Sequence, residues 1–230
     1  KFYESVKLKA EGIDNAAGKQ KIIVELYDKF FRNAFPKMTE RLGIVYTPVE
    51  VVDFIIKSVN EVLKINFGQT YEDENVHIID PFTGTGTFIT RLIQSGLISK
   101  NKLPYKYKNE IHANEIVLLA YYIAGINIES VYQEIIKENK YQKFDGIVLT
   151  DTFQLYEQER DMVADLLPDN SNKRKNQKNK PITVIIGNPP YSARQNSAND
   201  DAQNVNYPNL DRRIEETYAS ESKASRVTDL

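Results

Sequence analysis

Four consecutive residues, Asn188, Pro189, Pro190 and Tyr191, carry the clearest chemistry in this chain. They follow the apolar run Ile182-Thr183-Val184-Ile185-Ile186-Gly187, which predicts a buried strand. The two prolines remove two backbone donors and restrict φ, so the strand must stop there and its end must be rigid. What remains on offer is a planar amide, a stretch of carbonyls without neighbouring N–H groups, and an aromatic face. That set suits a flat substrate carrying an amino group. A strand that merely ends at a proline turn would contain the same residues, so the tetrapeptide has to be judged with its surroundings.

Those surroundings supply three carboxylates. Asp80 closes the apolar run Val76-His77-Ile78-Ile79 and opens the turn Asp80-Pro81-Phe82-Thr83-Gly84-Thr85-Gly86-Thr87-Phe88. Glycines after a strand let the backbone bend sharply and approach a ligand, with the amides of the next helix pointing outward. The glycine spacing is not the dinucleotide fingerprint and no Gly-Lys-Ser/Thr follows, so a phosphate loop is disfavoured. An acid at the strand tip repels phosphate and accepts from an amine or ammonium, which predicts a cationic small molecule over ATP. Glu115 ends a second strand, Glu110 to Glu115, where nucleoside-binding sheets keep a carboxylate for the ribose hydroxyls. Asp151 follows a third, Gly146 to Thr150, with Thr152 and Phe153 after it, a pair that could take an adenine amine and ring. Capping or helix-start roles explain Glu115 and Asp151 singly. They do not explain three carboxylates at the ends of three successive strands.

The elements that must position these groups alternate between strand and helix. Helices are predicted from about Gly86 to Gly96 and over the apolar run Ile116 to Ile128. Such alternation argues for a parallel sheet with helices on its faces, which binds ligands beyond the carboxyl ends of its strands. Ahead of the sheet, Thr47-Pro48 opens a helix that Thr47 is expected to cap. Its wide apolar face comprises Val49, Val52, Phe54, Ile55, Ile56, Val59 and Leu63. Earlier still, a polar lead-in gives way at Lys19 to an amphipathic helix through Ile22, Ile23, Leu26, Phe30 and Phe31 to about Ala34. Between the third and fourth strands, Ser171 to Lys180 is basic and lacks apolar residues, which predicts a solvated loop. The polar stretch Gln195 to Asn206 predicts another, followed by a short helix from about Leu210 to Tyr218. His77 and His112 fall inside strands and are expected to be structural. Tyr105-Lys106-Tyr107-Lys108 is expected to be an amphipathic surface or edge segment.

Composition bounds the function classes. A chain of 230 residues can bury one substantial core. No cysteine is present, which excludes disulfides and thiolate metal sites, and two histidines argue against a histidine-based one, so no metal is expected. No apolar run is long enough to cross a membrane, and cysteine avoidance fits a reducing, cytoplasmic setting. The net charge of -2 leaves any DNA affinity to local patches or neighbouring domains. The chain begins at Lys1 and ends at Leu230 without targeting or stop signals, and is expected to be a piece of a longer polypeptide.

Together these motifs resemble the amino-group DNA methyltransferases that use S-adenosylmethionine, in particular adenine-modifying enzymes whose cofactor motif precedes the catalytic one. The resemblance covers about Ile44 to Tyr191, with Phe82-Thr83-Gly84-Thr85 departing mildly from the commoner small-residue loop. It implies an α/β, Rossmann-like methyltransferase fold: a mostly parallel sheet with helices on both faces, incomplete at the C-terminus and preceded by an N-terminal helical segment. Residues 1–43 would form that lead-in or connector, and residues 44–230 a truncated methyltransferase domain with polar loops near 169–181 and 192–206. The catalytic residues implied are Asn188, Pro189, Pro190 and Tyr191. Cofactor contacts are implied for Tyr46 and Thr47, for Asp80, Phe82, Thr83, Gly84, Gly86, Thr87 and Phe88, for Glu115, for Asp151, Thr152 and Phe153, and for Asn188. The substrate implied is duplex DNA with a flipped adenine. A finer resemblance, carried by the helix before Tyr46, the polar loop and Tyr207-Pro208-Asn209-Leu210-Asp211-Arg212-Arg213, is to large single-polypeptide restriction-modification enzymes. In these, nuclease and helicase domains precede the methyltransferase and a target-recognition domain follows. Two alternatives stay open: methyl transfer to a glutamine amide or to RNA, and a non-catalytic cofactor- or DNA-binding fragment.

Overall fold

The computed structural model describes residues 47–137, 140–157, 168–190 and 207–222. The expected helix of residues 19–34, the rest of the 1–43 lead-in, Tyr46, Tyr191 and the polar loop near 192–206 lie outside the described residues. The described chain begins with α1 (Val49–Phe67), β1 (His77–Asp80), α2 (Thr87–Gln94), α3 (Leu103–Asn109) and β2 (Ile111–Glu115). It continues through α4 (Leu118–Ile136), β3 (Ile147–Leu149), a 3-10 turn (Phe153–Tyr156), α5 (Pro168–Lys178) and β4 (Ile182–Ile185). It closes with α6 (Pro208–Ile214), which runs on into a π-helical turn over Glu215–Ala219.

The four strands are parallel and lie in the order β3-β2-β1-β4. Every residue of β1 and β2 is buried, as a strand covered on both faces requires, and neither shows polar alternation. Among the described residues β4 pairs only with β1, and on it Val184 is 5% exposed whereas Ile185 is 70% exposed. Contacts join α1 to α2, α2 to α4, and α4 to β2 and β3, while the return from β3 to β4 carries α5 against β3. In the core, Val52 and Ile56 of α1 meet Ile89 and Leu92 of α2, Ile128 of α4 and Ile78 of β1. The strand order reverses between β1 and β4, so the chain leaving Asp80 and the chain leaving Ile185 diverge around one crevice. That is where such sheets bind ligands.

Three expectations are corrected. The basic run over Ser171 to Lys180 is not a loop: Pro168–Lys178 is helical. No apolar stripe announces this helix, because polar contacts seat it. Asn170 accepts from Leu149 N at 2.8 Å and donates to Leu149 O at 2.9 Å, behaving as a further strand residue. Lys173 pairs with Asp145 at 3.0 Å, and Asp169 in the first turn with Lys175 and Lys178 in the last suits the helix dipole. On α1 the apolar face is narrower than expected, burying Val52, Ile56 and Leu63 while Phe54 is 71% exposed. Third, the Tyr105 to Lys108 segment belongs to α3, and Lys106 and Tyr107 are fully buried. The Tyr107 ring lies 3.8 Å from that of Tyr132 and 5.0 Å from that of Phe144.

Lys106 explains how a cation survives inside. Its Nζ donates to Glu110 Oε2 at 2.5 Å, Val76 O at 2.7 Å and Asp73 O at 2.9 Å. Glu110 Oε1 in turn accepts from Asn75 N at 2.8 Å, so the pair ties α3 to the start of β1. Burial pulls the Lys106 pKa down, and the Glu110 hydrogen bond opposes it. His77 and His112 lie in β1 and β2 with rings within 5° of parallel and Nδ1···Nε2 at 3.0 Å. Burial lowers both, His112 to about 4, so the pair is neutral at ordinary pH and serves packing.

Lys106→Met is expected to destabilise the fold by about 3–5 kcal/mol, because it strands a buried carboxylate. Urea unfolding measures this; a loss below about 1 kcal/mol, typical of exposed pairs, would contradict the buried network.

Candidate active site

Asp80 sits at the switch point, and its side chain is wholly enclosed. Oδ1 accepts from Phe82 N at 3.1 Å, whereas Oδ2 has no hydrogen-bond partner. The exit of β4 packs directly on this carboxyl. A Cβ added to Gly187 would stand 2.7 Å from Asp80 Oδ1, so a side chain cannot be accommodated there without a shift. Burial pushes the Asp80 carboxyl up to about 8, opposed by the Phe82 amide and reinforced by the Glu115 charge. The strand-tip acid lies beneath the turn, because a glycine lets β4 close over it.

The turn above Asp80 is braced from two sides. Thr83 Oγ1 donates to Asp80 O at 2.9 Å, and Thr83 N to Asn114 O at 2.9 Å. Gly84 N donates to Glu115 Oε2 at 2.7 Å, and Glu115 Oε1 accepts from Val117 N at 2.7 Å. Glu115 thus fastens the glycine turn to the end of β2. Burial raises its pKa to about 7, against the pull of these amides. Gly86 takes φ +88° at the start of α2, a left-handed conformation that suits glycine, and backs onto Ala124 of α4. Phe88 belongs to the hydrophobic core, and Thr87 opens α2.

Asp151 stands after β3 beside the same turn. Its Oδ1 accepts from Phe153 N at 3.0 Å, and the Phe153 ring lies 5.2 Å from that of Phe82. Thr152 Oγ1 donates to Pro81 O at 2.7 Å and accepts from Asn114 Nδ2 at 3.2 Å. The structure therefore brings Asp80, Phe82, Thr83, Gly84, Glu115, Asp151, Thr152 and Phe153 into one continuous network.

Asn188 leaves β4 beside it, with Pro189 and Pro190 exposed beyond. Its Nδ2 donates to Thr47 Oγ1 at 2.9 Å, across 141 residues. Thr47 makes no capping bond to α1, whose N-cap position is Pro48. The expected cap is corrected: the threonine hydroxyl is spent on Asn188.

Sequence reasoning missed three residues here. Asn114, fully buried one position before Glu115, leaves its Oδ1 without a partner; an amide inside an otherwise buried strand was the available signal. Tyr207 donates its hydroxyl to Asp151 Oδ2 at 2.9 Å, and Glu157 accepts from Leu210 N at 3.0 Å. Neither carries a local signal, since both partners are more than fifty residues away in one case and in the other.

The site thus combines a parallel α/β sheet, acids at successive strand ends and Asn-Pro-Pro at its switch point. The N-6 DNA Methylase family model matches residues 18–221, and the chain belongs to that family. No curated protein sequence matches significantly. Among solved structures, a DrdV–DNA complex matches 99% of this chain and 22% of its own at 40% identity and a TM-score of 0.89. A nuclease-deletion mutant of the Type ISP restriction-modification enzyme LlaGI, in complex with a DNA substrate mimic, matches at 49% identity and a TM-score of 0.84. There the chain is covered over 99% and the enzyme over 19%. The ATP-dependent Type ISP enzyme LlaBIII bound to DNA matches at 49% identity and a TM-score of 0.85, covering 99% of this chain and 16% of that one. The chain thus spans less than a quarter of the length of each of these matched chains. No helix among the described residues is long and apolar enough to cross a membrane.

Asp80 and Glu115 have folded pKa values of about 8 and about 7, above their ordinary 3.8 and 4.5. The protonated carboxyls therefore favour the fold below the ordinary values, and that contribution is lost as pH rises through the folded values. Stability measured by urea unfolding is expected to fall between about pH 5 and pH 8, and Asp80→Asn to flatten most of the slope. An unchanged slope in Asp80→Asn would rule out burial of this carboxyl as its source. Gly187→Ala is expected to cost about 1–3 kcal/mol of stability in the same assay, since its methyl group meets Asp80.

Proposed function

We propose that this chain transfers a methyl group from S-adenosylmethionine to the exocyclic amine of an adenine flipped out of duplex DNA. It would do so as the methyltransferase part, residues 44–230, of a larger cytoplasmic restriction-modification polypeptide, with residues 1–43 as its connector. Nuclease, helicase and target-recognition domains would flank it. The observation that carries this reading is the packing of Gly187, immediately before Asn188, onto the Asp80 carboxyl. It joins an amine-binding tetrapeptide to a glycine turn fastened by Glu115 and neighboured by Asp151. The family match supports methyl transfer to adenine. The similarity to LlaGI and LlaBIII, restriction-modification enzymes bound to DNA or its mimic, supports the setting.

The residues present fit the cofactor. Glu115 and Asp151 are acceptors at two strand ends, and Asn114 Oδ1, one residue before Glu115, is a buried acceptor without a partner. A set this rich in acceptors matches a ligand with ammonium, hydroxyl and amine groups. Glu115 would hold the ribose hydroxyls, Asp151 the adenine amine and Phe153 the adenine ring. Phe82 to Gly84 would line the cofactor, with Asp80 shaping that turn from below, and Tyr46 and Thr47 would lie over it. When bound, S-adenosylmethionine supplies an electrophilic methyl group.

The protein's own work is to make the adenine amine nucleophilic and to aim it. Extruding the base costs a few kcal/mol of stacking and pairing, on the order of what protein contacts must return. Tyr191 would stack on the extruded base, an interaction worth about 1–3 kcal/mol in single-strand sites. Asn188 Oδ1 and the Pro189 carbonyl would accept hydrogen bonds from the two amine N–H groups, drawing the nitrogen lone pair out of conjugation with the ring. Pro189 and Pro190 keep that carbonyl rigid and free of competing N–H donors. Thr47 holds the nitrogen end of the Asn188 amide. Alignment governs such a displacement, so no strong base is required.

Asn188→Ala is expected to lower methyl transfer to duplex DNA by at least about a hundredfold, the scale of a misplaced reacting group. Cofactor affinity, read by calorimetry, should change little. Full activity in this variant, measured with labelled methyl donor, would overturn the proposal; methylation of RNA or protein in preference to DNA would move the substrate.

A further inference from the structure

The contact between Tyr207 and Asp151 is not used by the reaction described above. Tyr207 Oη donates to Asp151 Oδ2 at 2.9 Å, while Asp151 Oδ1 is held by Phe153 N at 3.0 Å. The Tyr207 ring lies 5.4 Å from that of Phe153 at 50°, extending the Phe82–Phe153 pair into a run of three rings. The tyrosine is itself anchored. Glu157, six residues after Asp151, accepts from Asn209 N at 2.9 Å, Leu210 N at 3.0 Å and Asn209 Nδ2 at 2.8 Å. Burial, followed by the Asp151 hydrogen bond, raises the Tyr207 phenol, so it remains a donor across the ordinary pH range.

We propose that Tyr207 is a positioning residue that orients the Asp151 carboxylate as acceptor for a 6-amino purine, and so gives the cofactor pocket its selectivity for adenine. This rests on Asp151 being the adenine acceptor. The terminal torsion of an aspartate is broad, so a carboxylate held at one oxygen only samples many orientations. With a fixed donor on each oxygen its plane is set, and each oxygen keeps one lone pair in a defined direction. A carboxylate so fixed accepts from the 6-amino group of adenine and repels the 6-oxo group of hypoxanthine. The phenol thus acts on selectivity without touching the reacting atoms.

The test is the affinity of the full chain for S-adenosylhomocysteine and S-inosylhomocysteine, measured by calorimetry for wild type and Tyr207→Phe. Wild type should prefer the adenosyl ligand. Tyr207→Phe, which keeps the ring, should weaken the adenosyl ligand by about fivefold to tenfold, the scale of one hydrogen bond, and leave the inosyl ligand unchanged. Glu157→Gln, which loosens the anchor of α6, should narrow the preference in the same direction and serves if Tyr207→Phe fails to fold. Equal weakening of both ligands would overturn the proposal by reducing Tyr207 to packing, as would an undiminished preference. A wild type with no preference would instead overturn the reading of Asp151, and this role with it.

Discussion

A carboxyl group enclosed at the tip of the central strand is the constraint on which the rest of the site depends. β1 is buried on both faces, so whatever ends it is also drawn from water. Asp80 is tolerated there because Phe82 N satisfies one oxygen and because β4 passes it with a glycine. Any side chain at position 187 would force Asn188 away from the turn. Adjacent strands are spaced at about 4.8 Å, so this one omission of a Cβ sets how closely the Asn-Pro-Pro end and the glycine turn approach.

Charge is segregated along the sheet in keeping with that arrangement. Acceptors gather at the carboxyl ends of β1, β2 and β3. The buried cation, Lys106, is spent near the start of β1 on Glu110 and two carbonyls. Helix α5 begins beside the end of β3, where Asn170 bonds Leu149, and runs back toward the start of β4. Its last-turn lysines therefore stand at the opposite end of the sheet from Asp80. The two histidines, kept neutral by burial, add no charge to the interior.

Long-range hydrogen bonds rather than local structure hold the crevice together. Thr47 meets Asn188 across 141 residues, Thr152 meets Pro81 across 71, and Tyr207 meets Asp151 across 56. Each joins a segment with little regular structure to a strand end. Loop-closure entropy must be overcome before such contacts form, so they depend on the sheet being assembled first.

The sequence by itself determined the sheet and the polarity of its carboxyl ends. The buried runs before Asp80 and Glu115 and the β-branched run before Gly187 are read by apolar content, which is a local property. It also determined the family, because Asp-Pro-Phe-Thr-Gly-Thr-Gly and Asn-Pro-Pro-Tyr are contiguous in the chain. Tertiary structure alone decided what those groups touch. Helix α5 escaped the sequence because its seat is made of Asn170 and Lys173 contacts rather than an apolar stripe. Lys106 was read as surface because two of its three partners, the carbonyls of Asp73 and Val76, come from the fold, not from its neighbours. Thr47 was read as a helix cap and not as the partner of Asn188 for the same kind of reason. Apolar periodicity reports which face of an element is buried, whereas a polar group's partner depends on which distant backbone the finished sheet brings within hydrogen-bond reach.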